Sequence, residues 1–398
     1  MTEPTNAGEW DEVRRARAVL AWLAEPGHRM LGAMVRALGP VETLARVMAD
    51  SVPERVRSAV AARRSMTEPD RLVDELREHA LRLGCRLAIP EDAEWPRQLD
   101  DLVRIPVSDR DRRLDPHTDP PLCLWVRGTD RLAATTDRAV AVVGARAATA
   151  YGTHVATDLA HGLGDLGWCV VSGGAYGIDA AAHQGVLAAD QPTVAVLACG
   201  IDVAYPAAHS GLFERIGQTG LLISEWPPGA RAQRYRFLIR NRVIAALCRG
   251  TVVVEASARS GARNTARRTS QLGRSLMAVP GPITSALSVG THLLVREDGA
   301  RLVTSAAEIV EEVGRIGEDL APVPRGDTDP RDDLDPVSTR VLDSVPVRRP
   351  AQPEQIAVTA GIPPRDVRRC LPLLAMLGFV EEADGGYRLA AKGAGQHR

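Results

Sequence analysis

Residues 139–179 read AVAVVGARAATAYGTHVATDLAHGLGDLGWCVVSGGAYGID, and this stretch decides the fold. The apolar run Ala139–Val143 passes through Gly144-Ala145-Arg146 into a helical pattern over Tyr151–Leu166. A second run, Cys169–Ser172, passes through Gly173-Gly174 into a helix over Ala180–Ala189. Strands that are apolar throughout, rather than alternating, are covered on both faces, and strand–helix–strand order joins parallel neighbours. The pattern continues downstream. Val194–Leu197, Leu221–Ser224, Thr251–Glu255 and Ser275–Val279 read as strands, separated by helices near Gly211–Gln218, Asn241–Cys248 and Thr265–Leu272. The prediction is an α/β fold: a Rossmann-like, doubly wound, mostly parallel sheet over residues 130–313.

Working outward, residues 1–70 form a small helical domain (SAM- or HhH-like), with helices at Val13–Leu23, Met30–Leu38 and Val41–Met48. Gly39-Pro40 stops one helix and starts the next. Residues 71–129 are a lead-in packed on the sheet domain, with a helix at Asp74–Leu83 and a strand-like run at Leu122–Val126. Residues 314–336 are a flexible acidic linker, rich in Asp and Pro and poor in apolar side chains. Residues 337–398 follow a winged-helix order. Helices at Thr339–Ser344, Pro353–Ala360 and Arg365–Leu377 precede a hairpin over Phe379–Leu389 that turns at Asp384-Gly385-Gly386. Pro372 sits awkwardly inside the third helix.

The composition, 398 residues with 45% hydrophobic and 25% charged side chains, is that of a globular protein of several domains. A net charge of −1 excludes a chain that is basic throughout but not a local basic patch. No apolar run approaches the roughly 20 residues of a membrane span, and the polar, acidic N-terminus does not read as a secretory signal. Six cysteines scattered without a CxxC support neither a disulfide framework nor a zinc ribbon. A cytoplasmic protein with no metal and no cofactor is expected.

Ligands of such a sheet bind beyond the carboxyl ends of its strands. After the first strand the dinucleotide fingerprint G-x-G-x-x-G fails, because Arg146 occupies the second glycine position. Gly144 and Arg146 instead suit an anion. Ser172, Gly173 and Gly174 offer backbone donors, and Tyr176 is free to stack on a base or simply to be exposed. Asp179 reads as a helix cap, and His183, alone on a helix, as structural. Glu225 and Glu255 end strands; without a nucleophile or metal ligands beside them they read as acceptors for loop amides or arginines. Arg231–Arg274 holds eleven arginines against one acid, Glu255, with Tyr235 and Phe237 interleaved. That excess predicts a groove for a polyanion. Ser260, Gly261, Arg263 and Thr265 open a helix as a second anion cradle.

The segments IPEDAEWPRQL, DPPLCLWVRG, AVAVVGARAAT, VVSGGAYGIDAAAH, TVAVLACGIDVAYP, LLISEWPPG, FLIRNRVIAAL, VVVEASARSGARNTA, LMAVPGPI and SVGTHLLVREDGARLV, in this order over roughly residues 86–305, resemble the DNA-processing protein A (DprA, Smf) family. The resemblance implies a non-enzymatic protein that binds single-stranded DNA, protects it, and loads RecA onto it in natural transformation. It also implies a homodimer formed through the Rossmann-like domain. It places phosphate contacts at Arg146, Arg240 and Arg242, with Asn241 between the last two. The chain departs from the family at Ala145, at Leu238-Ile239, at Ala207-Ala208 (where a basic residue is usual) and at Arg263-Asn264. The competing readings are a nucleotide phosphoribohydrolase and a nucleotide sensor. The hydrolase needs a carboxylate just after the glycine loop, where this chain has Ala266-Arg267-Arg268. Acidic Glu381, Glu382 and Asp384 in the wing favour protein contact or weak DNA binding for the tail.

Overall fold

The computed structural model describes residues 10–106, 117–315, 317–322 and 331–390. Residues 323–330 of the expected acidic linker, including Arg325, Asp327 and Asp329, lie outside the described residues. The chain divides into two units, Met1–Ala321 and Pro322–Arg398.

In the first unit, helices α1 (Glu12–Leu23), α2 (Arg29–Leu38), α3 (Pro40–Met48), α4 (Glu54–Arg64) and α5 (Pro69–Leu83) precede the sheet. Gly39, at φ +81°, ends α2, and Pro40 opens α3, where a missing N–H costs nothing. α4 was not among the helices delimited in the sequence, and its only buried residues are Val56 and Val60.

The sheet runs β1 (Cys85–Ala88), β2 (Leu124–Arg127), β3 (Ala139–Val143), β4 (Cys169–Ser172), β5 (Thr193–Leu197), β6 (Leu221–Ser224), β7 (Gly250–Val253), β8 (Ser275–Ala278) and β9 (Arg301–Leu302) in chain order. In space the order is β1-β2-β6-β5-β4-β3-β7-β8-β9. From β6 to β9 the pairings are parallel; β1–β2 and β2–β6 are antiparallel. The α/β, mostly parallel sheet is therefore present, extended on one side by an antiparallel pair.

Strand side chains alternate between two cores. Along β3, Ala139, Ala141 and Val143 face one core, and Val140 and Val142 the other. Between the strands run α6 (Leu132–Thr135), α7 (Ala150–Asp165), α8 (Ile178–Ala188), α9 (Ser210–Thr219), α10 (Arg236–Leu247), α11 (Ala262–Gln271), α12 (Val289–Glu297) and α13 (Ala306–Val313). The N-terminal helices share a third apolar cluster with Trp125, Ala195, Leu197 and Leu222 of the sheet. They pack on the sheet within one unit. No helix among the described residues is long and apolar enough to cross a membrane.

The second unit holds α14 (Pro336–Asp343), α15 (Pro353–Ala360), α16 (Pro364–Met376) and the hairpin β10 (Val380–Ala383)–β11 (Gly386–Leu389). Asp384 and Gly385 both have positive φ, the turn that matches hairpin twist. Pro372 is accommodated within α16. Asp335, expected in the linker, caps α14 by accepting from the Val337 and Ser338 amides.

Candidate nucleic-acid interface

The direction of strand addition reverses at β3, with β4 on one side and β7 on the other. Loops leaving the carboxyl ends of β3 and β7 diverge there and open a crevice, the usual ligand site of such sheets. The crevice encloses about 490 Å³. Gly144 and Arg146 after β3, Asp179 after β4, and Ser260, Gly261 and Thr265 around the start of α11 all line it. The remaining wall is one face of α10, which contributes Phe237, Leu238, Arg240, Asn241 and Ile244.

The backbone itself shapes the floor. The Ala145 amide donates to the Glu255 carbonyl (2.7 Å), and the Ile178 amide to the Ala145 carbonyl (3.2 Å). Gly177, at φ +74°, brings the loop after β4 so close that a Cβ would collide with the carbonyls of Ala145 and Arg146. The Glu255 carboxylate accepts from the Thr149 amide (2.9 Å) and hydroxyl (2.6 Å), fixing the loop after β3.

Two guanidiniums share one ring. Arg146, exposed, stacks with its Cζ 4.8 Å from the Phe237 centroid; Arg240, buried, lies 6.0 Å from the same centroid. Arg240 Nη1 donates to the Val196 carbonyl (2.7 Å), and its buried Nε has no hydrogen-bond partner. Its guanidinium rests against Gly173, where any Cβ would overlap it. Burial pulls the Arg240 pKa down to about 10; Asp179 opposes the fall and Arg146 adds to it. Arg240 is still cationic at neutral pH. Asp179 is the one carboxylate lining the crevice among the described residues. Burial pushes its carboxyl up, against the pull of Arg240 and of the Ala175 and Gly173 amides. At the entrance to α11, Gly261 occupies the cap position and the Ser260 hydroxyl accepts from the Ala262 amide (3.2 Å). The positive end of the helix dipole faces the crevice.

Several sequence expectations are corrected. Arg242 does not reach the crevice: it is fully buried and donates through Nη2 to Glu225 Oε1 at 2.6 Å. The reason is helical geometry, since residues two apart point about 200° away from each other. Asp179 is not the cap of α8. Gly177 holds that position, and Asp179 accepts from the Ala175 amide from within the first turn. Ser172 is buried, its hydroxyl donating to the Val142 carbonyl (2.7 Å), and Gly174 lies outside the lining. Arg263 donates to the Ala258 carbonyl (2.9 Å) and reaches Asp298 rather than the crevice. Tyr176 is exposed beside the lining residue Ala175.

The arginine-rich stretch is not a continuous belt either. Arg249 and Arg274 precede β7 and β8, so they sit at the amino ends of the strands. There Arg274 Nη1 donates to the Ala245, Ala246 and Cys248 carbonyls. Arg236 pairs with Glu25 (2.7 Å). Conversely, Arg234 and Phe237 line the crevice, although the sequence placed them only in the arginine-rich stretch with its interleaved aromatics and not among the named contacts. The signal was that interleaving of aromatic and basic residues at the start of α10.

Fold and crevice define a class: a Rossmann-like α/β protein with a cationic crevice at the switch point of its sheet. A family model of DNA recombination-mediator protein A matches residues 86–314. A DprA of Mycobacterium tuberculosis is 47% identical over 386 residues, 97% of each chain. The X-ray structure of DNA processing protein A from Streptococcus pneumoniae is similar with TM-score 0.62 and 28% identity, over 77% of this chain and 100% of that one. Helicobacter pylori DNA processing protein A, in a structure concerned with its single-stranded DNA binding mode, gives TM-score 0.47 at 27% identity, over 56% of this chain and 94% of that one. The chain belongs to the DprA/Smf family of DNA processing, recombination-mediator proteins.

Proposed function

We propose that the chain is a non-enzymatic single-stranded DNA-binding protein that protects incoming strands and loads the RecA recombinase onto them in natural transformation. It would act in the cytoplasm, as a homodimer formed through the Rossmann-like domain. The observation that carries DNA binding is the pair of guanidiniums, Arg146 and Arg240, converging on Phe237 in a crevice with a single, buried carboxylate. Arg146 and Arg240 repel each other, and an anion bound beside both relieves that repulsion. A phosphodiester supplies the anion, and the positive dipole end of α11 favours it there. Exposed Arg234 extends the cationic surface. Arg242 has no part in the contact.

Fluorescence anisotropy of labelled single strands and duplexes at several salt concentrations tests the reading. Sequence-tolerant binding that prefers single strands and weakens steeply with salt is expected. Equal affinity for duplex, or no binding at low salt, contradicts it. RecA loading is tested separately, by whether the protein accelerates RecA filament growth on a bound strand.

The phosphoribohydrolase alternative would need Asp179 as its carboxylate. That group accepts from the Ala175 amide, is buried, and sits in the field of Arg240, so it lacks the freedom of a nucleophile. Release of free base from a nucleoside monophosphate would establish the hydrolase. Mononucleotide binding without turnover would establish the nucleotide sensor.

A further inference from the structure

An aromatic flank continues the crevice without adding charge. Tyr205 is 48% exposed and lies with its ring centroid 5.5 Å from that of Phe237, the ring on which Arg146 stacks. Tyr176 is 49% exposed and meets His209 edge-on at 4.8 Å. His209 is itself fixed: its Nδ1 lies 3.0 Å from the Gly174 carbonyl, so that nitrogen carries the hydrogen and donates. His209 also packs edge-on against buried Phe213 at 6.2 Å. Both tyrosines are thus held from behind by rings whose own positions are set, and each leaves about half its surface to solvent. Between Tyr205 and His209 in sequence stand Ala207 and Ala208, which offer no cation for a phosphate.

A preorganised, solvent-exposed aromatic ring beside a phosphate site is a stacking platform, because every base has a π-face. We infer that Tyr205 and Tyr176 form a base-stacking subsite flanking the crevice. The strand's backbone is held at Arg146 and Arg240, and its bases turn toward the two tyrosines. This rests on the single-strand reading above and deepens it, assigning the phosphates to one flank and the bases to the other. Stacking does not involve the tyrosine hydroxyls, so phenylalanine serves in either position.

The test compares an oligothymidylate with an abasic strand of equal length and charge, by anisotropy at fixed salt, against the intact chain and its Tyr205→Ala, Tyr176→Ala and Tyr176→Phe variants. The intact chain is expected to prefer the base-bearing strand. Each alanine variant is expected to lose roughly five- to 150-fold affinity for that strand while binding the abasic strand as the intact chain does. Tyr176→Phe should retain the preference. If the intact chain binds both strands equally, the stacking subsite is refuted while the phosphate crevice stands. If it binds neither strand, both readings fail. Equal losses on both strands in the alanine variants also refute stacking, because the tyrosines would then be supporting the fold.

Discussion

At the scale of single residues, the same chemical group does different work according to what surrounds it. Arg240 and Arg242 are neighbours in sequence, yet only the first faces the crevice. Arg242→Ala should leave Glu225 buried without its partner and cost about 3–5 kcal/mol in urea unfolding, without changing the salt dependence of DNA binding. Gly173→Ala should do the reverse. Its methyl displaces the Arg240 guanidinium, so affinity should fall about tenfold or more, the scale of one charge-assisted contact, with far-ultraviolet dichroism unchanged. Equal affinity in that variant would show that Arg240 need not lie where it does. His183 carries a pH effect. Thr193 Oγ1 donates to the Val170 carbonyl (2.6 Å), so it accepts from His183 Nδ1–H (2.9 Å), leaving a bare, buried, unpartnered Nε2. Burial pulls the folded pKa down to about 3 from an ordinary 6.5. The unfolded chain therefore takes up this proton first, and stability falls as pH drops through that window, by about 1.4 kcal/mol per unit from this group. A His183→Asn variant that folds at neutral pH should show a shallower acid slope in thermal melts. An identical slope would exclude His183 as its source.

Among the elements, α10 is committed on both of its faces. Its crevice face presents Phe237, Arg240 and Asn241. Elsewhere on it, Arg236 donates to Glu25 (2.7 Å), which also accepts from Trp226 Nε1 (2.9 Å) and Arg63 (2.8 Å). Glu25, between α1 and α2, thus anchors the first turn of α10. Glu25→Ala strands buried Arg236 and should destabilise the first unit by about 3 kcal/mol. It should also weaken DNA binding by loosening Phe237, a pairing of effects that unfolding and anisotropy measured together would reveal. Unchanged affinity would separate the anchor from the crevice. This element was the hardest to read in the sequence. The helix was expected to start at Asn241 but starts at Arg236. Almost every residue from Ile239 onward is buried, so no polar stripe marks a face. The partners that bury its arginines, Glu25 and Glu225, lie in other elements, invisible to local periodicity. By contrast β3 to β8 were legible to within about one residue in most cases, because strands covered on both sides must be apolar throughout. The loops after β3 and β7 were equally legible, since glycines there mark close backbone approach. Which arginines those loops receive depended on helix phase, and was not.

On the scale of the whole molecule, the crevice is built entirely from the first unit. The described hairpin of the second carries Glu381, Glu382 and Asp384 near its turn, a poor surface for phosphates. A chain ending at Ala321 should bind single strands within a few-fold of the full protein; a hundredfold loss would place essential contacts in the second unit. The most direct test of the central claim, that Arg146 and Arg240 hold backbone phosphate in the switch-point crevice, is the salt dependence of single-strand binding by Arg146→Ala beside the unaltered protein. Affinity should be lowered alike for all sequences, and the log–log salt slope should be shallower by about one phosphate contact, roughly 0.7 for a single strand. An unchanged affinity and slope would contradict it.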